Sequence, residues 1–297
     1  MIKPKLQVKN ELIGLSAVIA TLGGDSLQAT IDSLNQSSIK PNEIIIAIPA
    51  GFEARVANIS AENVQILVTH SIGQVSQRCE GFSAAKYDFI FQCDDDILLA
   101  KNCIEELMVA SNIMGNECVC AASLFFVNSN KSVYHQKKKG LISKLYYALL
   151  NGKEGYKEGI VTKAGTEIGV EITENTVQDI IPVEWLPGGL VLHRRENLIL
   201  KNFYPYSGKA YSEDLYHSFE LRKKGISLFV VKEAKAWIDD PRNKPLPSFN
   251  SFFKNLIKDF EARKTYLKLS DSSLSRCYFF YLFMTFSFFI KKLEKIF

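Results

Sequence analysis

The sequence of 297 residues has little of what marks several protein classes. Its six cysteines form no C-x-x-C pair and its four histidines are too scattered for a familiar zinc pattern, so we expect no structural zinc site. The first residues lack the roughly 7 to 15 consecutive apolar residues of a secretory signal, which predicts a reducing cytosolic compartment and unpaired cysteines. Internal repeats are also missing. With 47% apolar and 23% charged residues, the chain is neither disordered nor a polytopic membrane protein.

The net charge of +4 is unevenly distributed along the chain. Residues 241–297 contain 11 Lys and Arg against 4 Asp and Glu, whereas residues 1–240 contain 25 against 28. We therefore predict a mildly acidic domain over residues 1–245 and a basic, aromatic helical tail over residues 246–297.

The tail predicts two helices. Residues 249–268 carry apolar side chains at helical spacing with lysines between them, and residues 277–290 are 14 uncharged residues of which eight are aromatic. A helix of that second length is about 21 Å long, short of the roughly 30 Å hydrocarbon core of a bilayer, so it dips into a membrane more easily than it crosses one. A core helix or a subunit interface is the alternative for this segment.

Short apolar runs alternate with helical patterns in the rest of the chain and predict an α/β fold with a mostly parallel sheet covered on both faces. The predicted strands are residues 15–20, 43–48, 64–68, 88–92, 118–127, 180–185, 186–193 and 226–231. The predicted helices are residues 27–34, one ending at 81–85, residues 102–112, and residues 212–221 closed by Gly225. Residues 128–180 interrupt this alternation of strands and helices. They contain three lysines at 137–139 and a short helix at 141–150, which indicates an insertion or mobile loop suited to substrate contacts.

Three consecutive acids, Asp94, Asp95 and Asp96, directly follow a predicted buried strand. Like charges at this spacing raise one another's pKa, so a cation is expected to offset them. Mg²⁺ or Mn²⁺ held by one or two carboxylates and by substrate phosphates is a common arrangement. A solvated acidic turn that caps the following helix is the alternative.

Glu213 and Asp214 begin a predicted helix, with Ser212 as its cap. The positive end of the helix macrodipole is expected to keep both carboxylates ionised, which suits one of them to take a proton from an attacking hydroxyl. The alternative is a favourable charge in the first helical turn without a catalytic role.

Two further motifs are candidates for ligand contacts. Trp185-Leu-Pro-Gly-Gly189 joins a rigid aromatic side chain to a backbone that a ligand can approach closely, although a tight structural turn explains the same residues. Arg78 lies between the third strand and the next helix, where it is either a phosphate ligand or a surface arginine.

The order of these motifs from Leu15 to Asp240 resembles the family 2 glycosyltransferases with a GT-A fold, of the bacterial polysaccharide or O-antigen type. The resemblance implies a Rossmann-like sheet, an inverting and metal-dependent transfer of a sugar from a nucleotide diphosphate, and a D-x-D segment at Asp94–Asp96 that holds the donor ribose and a divalent metal ion. Two positions depart from the family pattern: Glu53 stands in for the acid that reads the nucleotide base, and Asp239 for a late metal-binding histidine. The implied roles are catalysis by Asp214 with Glu213, donor binding by Thr21, Glu53, Arg78, Asp94 and Asp95, and metal binding by Asp94, Asp96 and Asp239. Trp185, Gly188 and Gly189 are predicted to contact the acceptor.

The tail and the lysine-rich insertion predict an acceptor at a membrane surface, such as a lipid-linked glycan of cell-surface polysaccharide biosynthesis. We expect the protein on the inner face of the cell membrane and expect no nucleic-acid partner. Two other classes stay open. A nucleotidyltransferase of a sugar phosphate is expected to carry a basic, Gly-rich loop after the first strand, and residues 21–26 lack the basic residue. A non-enzymatic membrane adaptor needs neither the acids nor a base.

Overall fold

The computed structural model describes residues 14–135, 140–243 and 245–294, so the predicted lysine run at 137–139 lies outside the described residues. The strands are β1 (Leu15–Ala20), β2 (Glu43–Pro49), β3 (Val64–Thr69), β4 (Phe89–Cys93), β5 (Leu98–Leu99), β6 (Cys118–Phe126), β7 (Ile160–Val161), β8 (Glu167–Ile168), β9 (Ile180–Val183), β10 (Leu190–Arg194) and β11 (Ser227–Ile238). The helices are α1 (Leu27–Asn35), α2 (Gln74–Ala84), α3 (Cys103–Met114), α4 (Leu141–Asn151), α5 (Glu213–Lys223), α6 (Phe249–Leu269) and α7 (Leu274–Leu293).

One large sheet forms the centre of the molecule, in the order β3-β2-β1-β4-β10-β6-β11-β5, with β9 also paired to β11. The pairs among β1, β2, β3 and β4 are parallel, as is the pair of β6 and β11, whereas β10 runs antiparallel between β4 and β6. This arrangement confirms the predicted α/β class with a mostly parallel sheet flanked by helices.

Both faces of the sheet are covered, which explains why its central strands are continuous apolar runs. Ala17 and Ile19 of β1 pack in the same core cluster as α1 and α3 on one face. Val18, between them, packs with Phe82 of α2 on the other. Because successive side chains of a strand point to opposite faces, a strand covered on both sides cannot alternate apolar with polar residues.

The late strands differ most from the prediction. The last one, predicted to end at Val231, continues to Ile238 because a register shift between Val231 and Lys235 lets it follow β6 to its end and then pair with β5. The run predicted as a strand from Leu186 begins its pairing only at Leu190, because residues 186–189 form a turn at the site described below.

The tail forms two helices, as predicted. Phe252 of α6 stacks on Phe288 of α7 with ring centroids 3.8 Å apart, and Ala262 of α6 accepts a 2.6 Å hydrogen bond from the Tyr216 hydroxyl of α5. Among the described residues, no helix combines the length and apolar character needed to cross a membrane. The division into residues 1–245 and 246–297 stays a prediction.

Candidate active site

Two neighbouring strands bring together Thr21 and Asp95, which are both predicted to bind the donor. β1 and β4 are parallel and paired up to Ile19 and Cys93, so the residues that follow them leave the same edge of the sheet. There the Thr21 hydroxyl donates to Asp95 Oδ2 and accepts a 2.8 Å hydrogen bond from the Gly23 amide. The loop after β1 is thereby fixed to the acid triplet after β4.

Arg78 connects α2 to two other elements. Its Nη1 lies 2.5 Å from Glu213 Oε1 of α5, and its Nη2 lies 2.7 Å from Asp94 Oδ1. The arginine is only 3% exposed. Burial opposes its positive charge, but Glu213 and Asp94 outweigh that effect and raise the pKa of Arg78. Both Nη groups already bind carboxylates, so this geometry does not favour the predicted contact of Arg78 with a phosphate. Arg78 is a buried cation that offsets the acid cluster.

Gly188 and Gly189 pass directly over the carboxylates. The Gly188 amide donates a 3.0 Å hydrogen bond to Asp214 Oδ1, and the Gly189 carbonyl accepts one of 3.0 Å from the Asp94 amide. A Cβ at Gly188 would lie 2.5 Å from oxygens of both Glu213 and Asp214, and a Cβ at Gly189 would lie 2.4 Å from Asp94 Oδ2. Only glycine allows this approach of backbone to carboxylate.

For the sugar transfer that the family resemblance implies, replacing Gly189 with alanine is expected to lower the rate by about 100-fold, because the added Cβ displaces Asp94. The matched control is Gly24→Ala, whose Cβ would meet Asp95 Oδ2 at an ordinary 3.4 Å. Initial rates of transfer for both variants check the expectation. Equal rates for the two would mean that the Gly188–Gly189 turn does not set the position of Asp94.

The surroundings of Asp214 affect its pKa differently from what the sequence predicts. Burial, together with the charge of Glu213 and a hydrogen bond to it, raises the pKa of Asp214 well above its ordinary value, and Arg78 offsets this only in part. Burial and Glu213 therefore outweigh the helix terminus in setting the pKa of Asp214. Ser212 does occupy the N-cap position of α5, but its side chain makes no cap hydrogen bond.

Ser212 instead links the acids to the tail helices. Its backbone is left-handed, with φ of 54°, and its hydroxyl donates a 2.9 Å hydrogen bond to Asp259 Oδ1 of α6. The other oxygen of Asp259 accepts a 2.6 Å bond from the Tyr281 hydroxyl of α7. The segment that precedes Glu213 and Asp214 is thus braced by both C-terminal helices.

The acid cluster fits a metal ion only if a substrate completes its coordination. Asp94 and Glu213 both bind the one guanidinium of Arg78, and Asp214 lies close enough to interact with its charge, so the acids of the cluster outnumber its cation. Within residues 14–135, 140–243 and 245–294, however, no three His, Cys, Asp or Glu side chains are arranged to hold a metal ion. Asp94, Asp96 and Asp239 therefore form no ready-made cage. Mg²⁺ is commonly held by one or two carboxylates plus phosphates, which this set can supply.

Two predicted contacts lie outside the cluster. Glu53 is exposed on a short 3₁₀ turn after β2, where Arg55 of the same turn donates a 3.3 Å hydrogen bond to the Leu22 carbonyl, so this turn flanks the loop after β1. Trp185 is 5% exposed, its indole N–H donates to the Ile168 carbonyl at 3.1 Å, and its ring meets the edge of Tyr134. A direct contact of Trp185 with an acceptor, as predicted, does not fit this burial; the side chain supports the following turn from behind.

Three glutamines at the site escaped the sequence analysis. Gln74 donates to Asp94 Oδ1 at 3.2 Å, Gln92 donates to the Gly188 carbonyl, and Gln77 donates to the carbonyls of Thr21 and Ala47. Gln92 was detectable in principle, because a lone polar residue inside the apolar run of β4 must find a buried partner. Gln74 and Gln77 lie on α2, where a polar residue is ordinary, so the sequence does not single them out.

Comparisons with known proteins bear on the family and on the fold. The family model described as glycosyl transferase family 2 matches residues 16–167. No curated protein sequence matches the chain. Among solved structures, the crystal structure of GalNAc-T7 with UDP, GalNAc and Mn2+ is similar with a TM-score of 0.57 and 16% sequence identity, over 78% of this chain and 45% of that one. This chain thus corresponds to less than half of that protein, and the likeness establishes a shared GT-A fold. Because the family model spans about half of the sequence, the chain belongs to glycosyl transferase family 2.

Proposed function

We propose that the protein transfers a sugar from a nucleotide diphosphate sugar to an acceptor hydroxyl, with inversion at the anomeric carbon. The observation that carries this proposal is the pairing of Asp94 and Glu213 with Arg78, with Asp214 held by the Gly188 amide next to Glu213, at the carboxyl end of β4. In open α/β sheets this edge is where ligands bind.

Asp214 is the proposed base. Its raised pKa makes it a stronger proton acceptor than an ordinary aspartate, and the Gly188 amide fixes one of its oxygens. It takes the proton of the acceptor hydroxyl while that oxygen forms a bond to the anomeric carbon. The bond from this carbon to the phosphate oxygen breaks, and its electron pair leaves with the nucleoside diphosphate. One displacement from the opposite face inverts the configuration.

The donor is proposed to lie between the loop after β1 and the acid triplet. Thr21 and Asp95 are already joined there, and the 3₁₀ turn that carries Glu53 flanks the same loop. A divalent metal ion, when bound by Asp94 or Asp96 together with Asp239, would supply charge neutralisation for the departing diphosphate. Arg78 contributes by holding Asp94 and Glu213 in place.

The acceptor is proposed to be a lipid-linked glycan of bacterial cell-surface polysaccharide biosynthesis, met at the inner face of the membrane. The support is the excess of basic residues after residue 240 and the aromatic side chains that α7 leaves exposed. Cations near anionic head groups and apolar side chains near acyl chains both favour surface binding.

Binding of nucleoside diphosphates tests the donor half of this proposal. Calorimetric titration of UDP, GDP, CDP and dTDP is expected to show one preferred base, bound at least about tenfold more weakly when Mn²⁺ is chelated. The Asp214→Asn protein is expected to bind that nucleotide as the wild type does. No nucleotide binding would favour an adaptor, and release of pyrophosphate from a nucleoside triphosphate and a sugar phosphate would favour a nucleotidyltransferase.

A further inference from the structure

Two helices that are far apart in the sequence expose apolar side chains on a common face. On α4, Ile142 is 80% exposed, and on α7, Leu282 and Phe286 are 66% and 63% exposed. Isolated apolar residues at a surface are unremarkable, but a contiguous apolar patch on a soluble domain marks an interaction site.

Direct contacts make α4 and α7 one unit. Arg276 of α7 donates hydrogen bonds of 3.0 and 2.6 Å to the carbonyls of Ala148 and Leu149, at the open end of α4. Tyr146 and Phe283 meet with ring centroids 4.6 Å apart. Between the helices lies a groove of about 400 Å³ whose lining is almost wholly apolar.

The exposed side of α7 is not needed to hold the helix in place. The opposite side provides that packing, since Cys277, Tyr281 and Phe288 are buried against α6 or its neighbours. Nothing in the described part of the chain covers the outward residues Leu282 and Phe286. Their hydrophobicity is therefore available to a partner.

Positive charge borders this face. Lys144 is exposed on α4, and Lys291 is exposed in the last turn of α7. Lys292 instead lies over the Phe249 and Phe288 rings, on the side of α7 that packs against α6. An apolar surface edged by lysines matches the boundary between acyl chains and anionic head groups.

We propose that the face formed by α4 and α7 inserts into the surface of an anionic bilayer, lying in the interface without crossing it. This inference deepens the proposed function, on which its choice of a membrane partner rests. It specifies the binding element as one composite face, formed by α4 of the 128–180 insertion and α7 of the tail. It also joins the bound surface to the active site, because Tyr281 on the inner side of α7 is bonded through Asp259 to Ser212.

Sedimentation of the full-length protein with lipid vesicles tests the proposal. The wild type is expected to bind vesicles that contain phosphatidylglycerol and to bind phosphatidylcholine vesicles more weakly. Ile142→Glu on α4, and Leu282→Glu with Phe286→Glu on α7, are each expected to weaken binding at least about tenfold. Ile113→Glu on α3, also at an exposed apolar position, is the matched control and is expected to bind as the wild type does.

A second variant tests the charge contribution separately. Lys144→Gln with Lys291→Gln keeps the apolar face and is expected to weaken the preference for anionic vesicles, since both lysines are exposed. The proposal is overturned if the wild type binds neither kind of vesicle or if the glutamate variants bind vesicles as the wild type does. It is also overturned if Ile142→Glu on α4 alone leaves vesicle binding unchanged. A stable dimer in ultracentrifugation that these variants dissociate, without vesicle binding by the wild type, would assign the face to a second copy of the chain.

Vesicle binding and the proposed sugar transfer are tested by independent measurements, so either can fail without the other. Vesicle binding is measured without donor or acceptor, and Asp214→Asn is expected to bind vesicles as the wild type does. Conversely, the glutamate variants on α4 and α7 are expected to retain nucleotide binding, since their side chains lie on the outer surface.

Discussion

Replacing Asp214 with asparagine is expected to lower the rate constant of sugar transfer by about 100- to 10,000-fold, the range that general-base catalysis contributes. Asparagine retains an oxygen for the Gly188 amide but cannot accept the acceptor's proton. Donor affinity is expected to stay within a few-fold of the wild type, so the loss falls on kcat. Steady-state kinetics with saturating donor separate the two parameters.

Glu220→Gln is the matched control for this prediction, because it removes a carboxylate from the same helix, α5, farther along its length. Its transfer rate is expected to match the wild type. Transfer by Asp214→Asn at close to the wild-type rate would place the base elsewhere.

The pH dependence follows from the same carboxyl group. A base acts in its deprotonated form, and burial and Glu213 raise the pKa of Asp214 well above its ordinary value. The kcat is therefore expected to rise with pH through a midpoint above that of an ordinary aspartate, and to lose this limb in Asp214→Asn. A flat profile in the wild type across the acidic range would contradict the assignment.

Replacing Arg78 with methionine is expected to lower the free energy of unfolding by about 3–5 kcal/mol, the cost of leaving a buried charge without its partner. The side chains of Arg78 and Glu213 are 4% and 7% exposed, so water cannot take over the lost contact. Transfer is expected to fall to the detection limit as well, because Asp94 and Glu213 lose the group that holds them. Urea unfolding at neutral pH measures the stability change.

Two companion variants make the Arg78 prediction specific. Arg222→Met, on the exposed last turn of α5, is expected to change stability by less than about 0.5 kcal/mol. Adding Glu213→Gln to Arg78→Met is expected to restore part of the lost stability, because it removes the abandoned charge. Glu213→Gln is also made alone, to measure its own effect on the free energy of unfolding. If it lowers that free energy by the same amount in the wild type and in Arg78→Met, the two side chains are not coupled.

Much of the fold was predictable because strands buried on both faces have mostly apolar residues at successive positions. β1, β2 and β4 are short, fully buried strands with one polar residue each among apolar ones, and the position of the acids after β4 follows from the chain direction alone. The extent of β11 was not predictable. Lys232, Glu233 and Lys235 interrupt its apolar pattern, and the strand continues only because β6 and β5 offer it backbone partners.

The residue types at the site were predictable, but their pairing was not. Arg78 and Glu213 are 135 positions apart, and no local pattern states that α2 and the start of α5 meet. Trp185 was misinterpreted for a related reason: its cover comes from Tyr134 and Ile168 in the irregular 128–180 segment, which the sequence indicated only as a loop. Contacts between distant segments decide which polar groups are shielded, and those contacts are a property of the folded chain.

The most direct test of the central claim is the release of nucleoside diphosphate from a panel of nucleotide sugars, measured with Mn²⁺ for the wild type and for Asp214→Asn. We expect the wild type to turn over one donor class, chelation of the metal to stop the release, and Asp214→Asn to release at least about 100-fold less. Release by Asp214→Asn at the wild-type rate, or no release from any donor by the wild type, would contradict it.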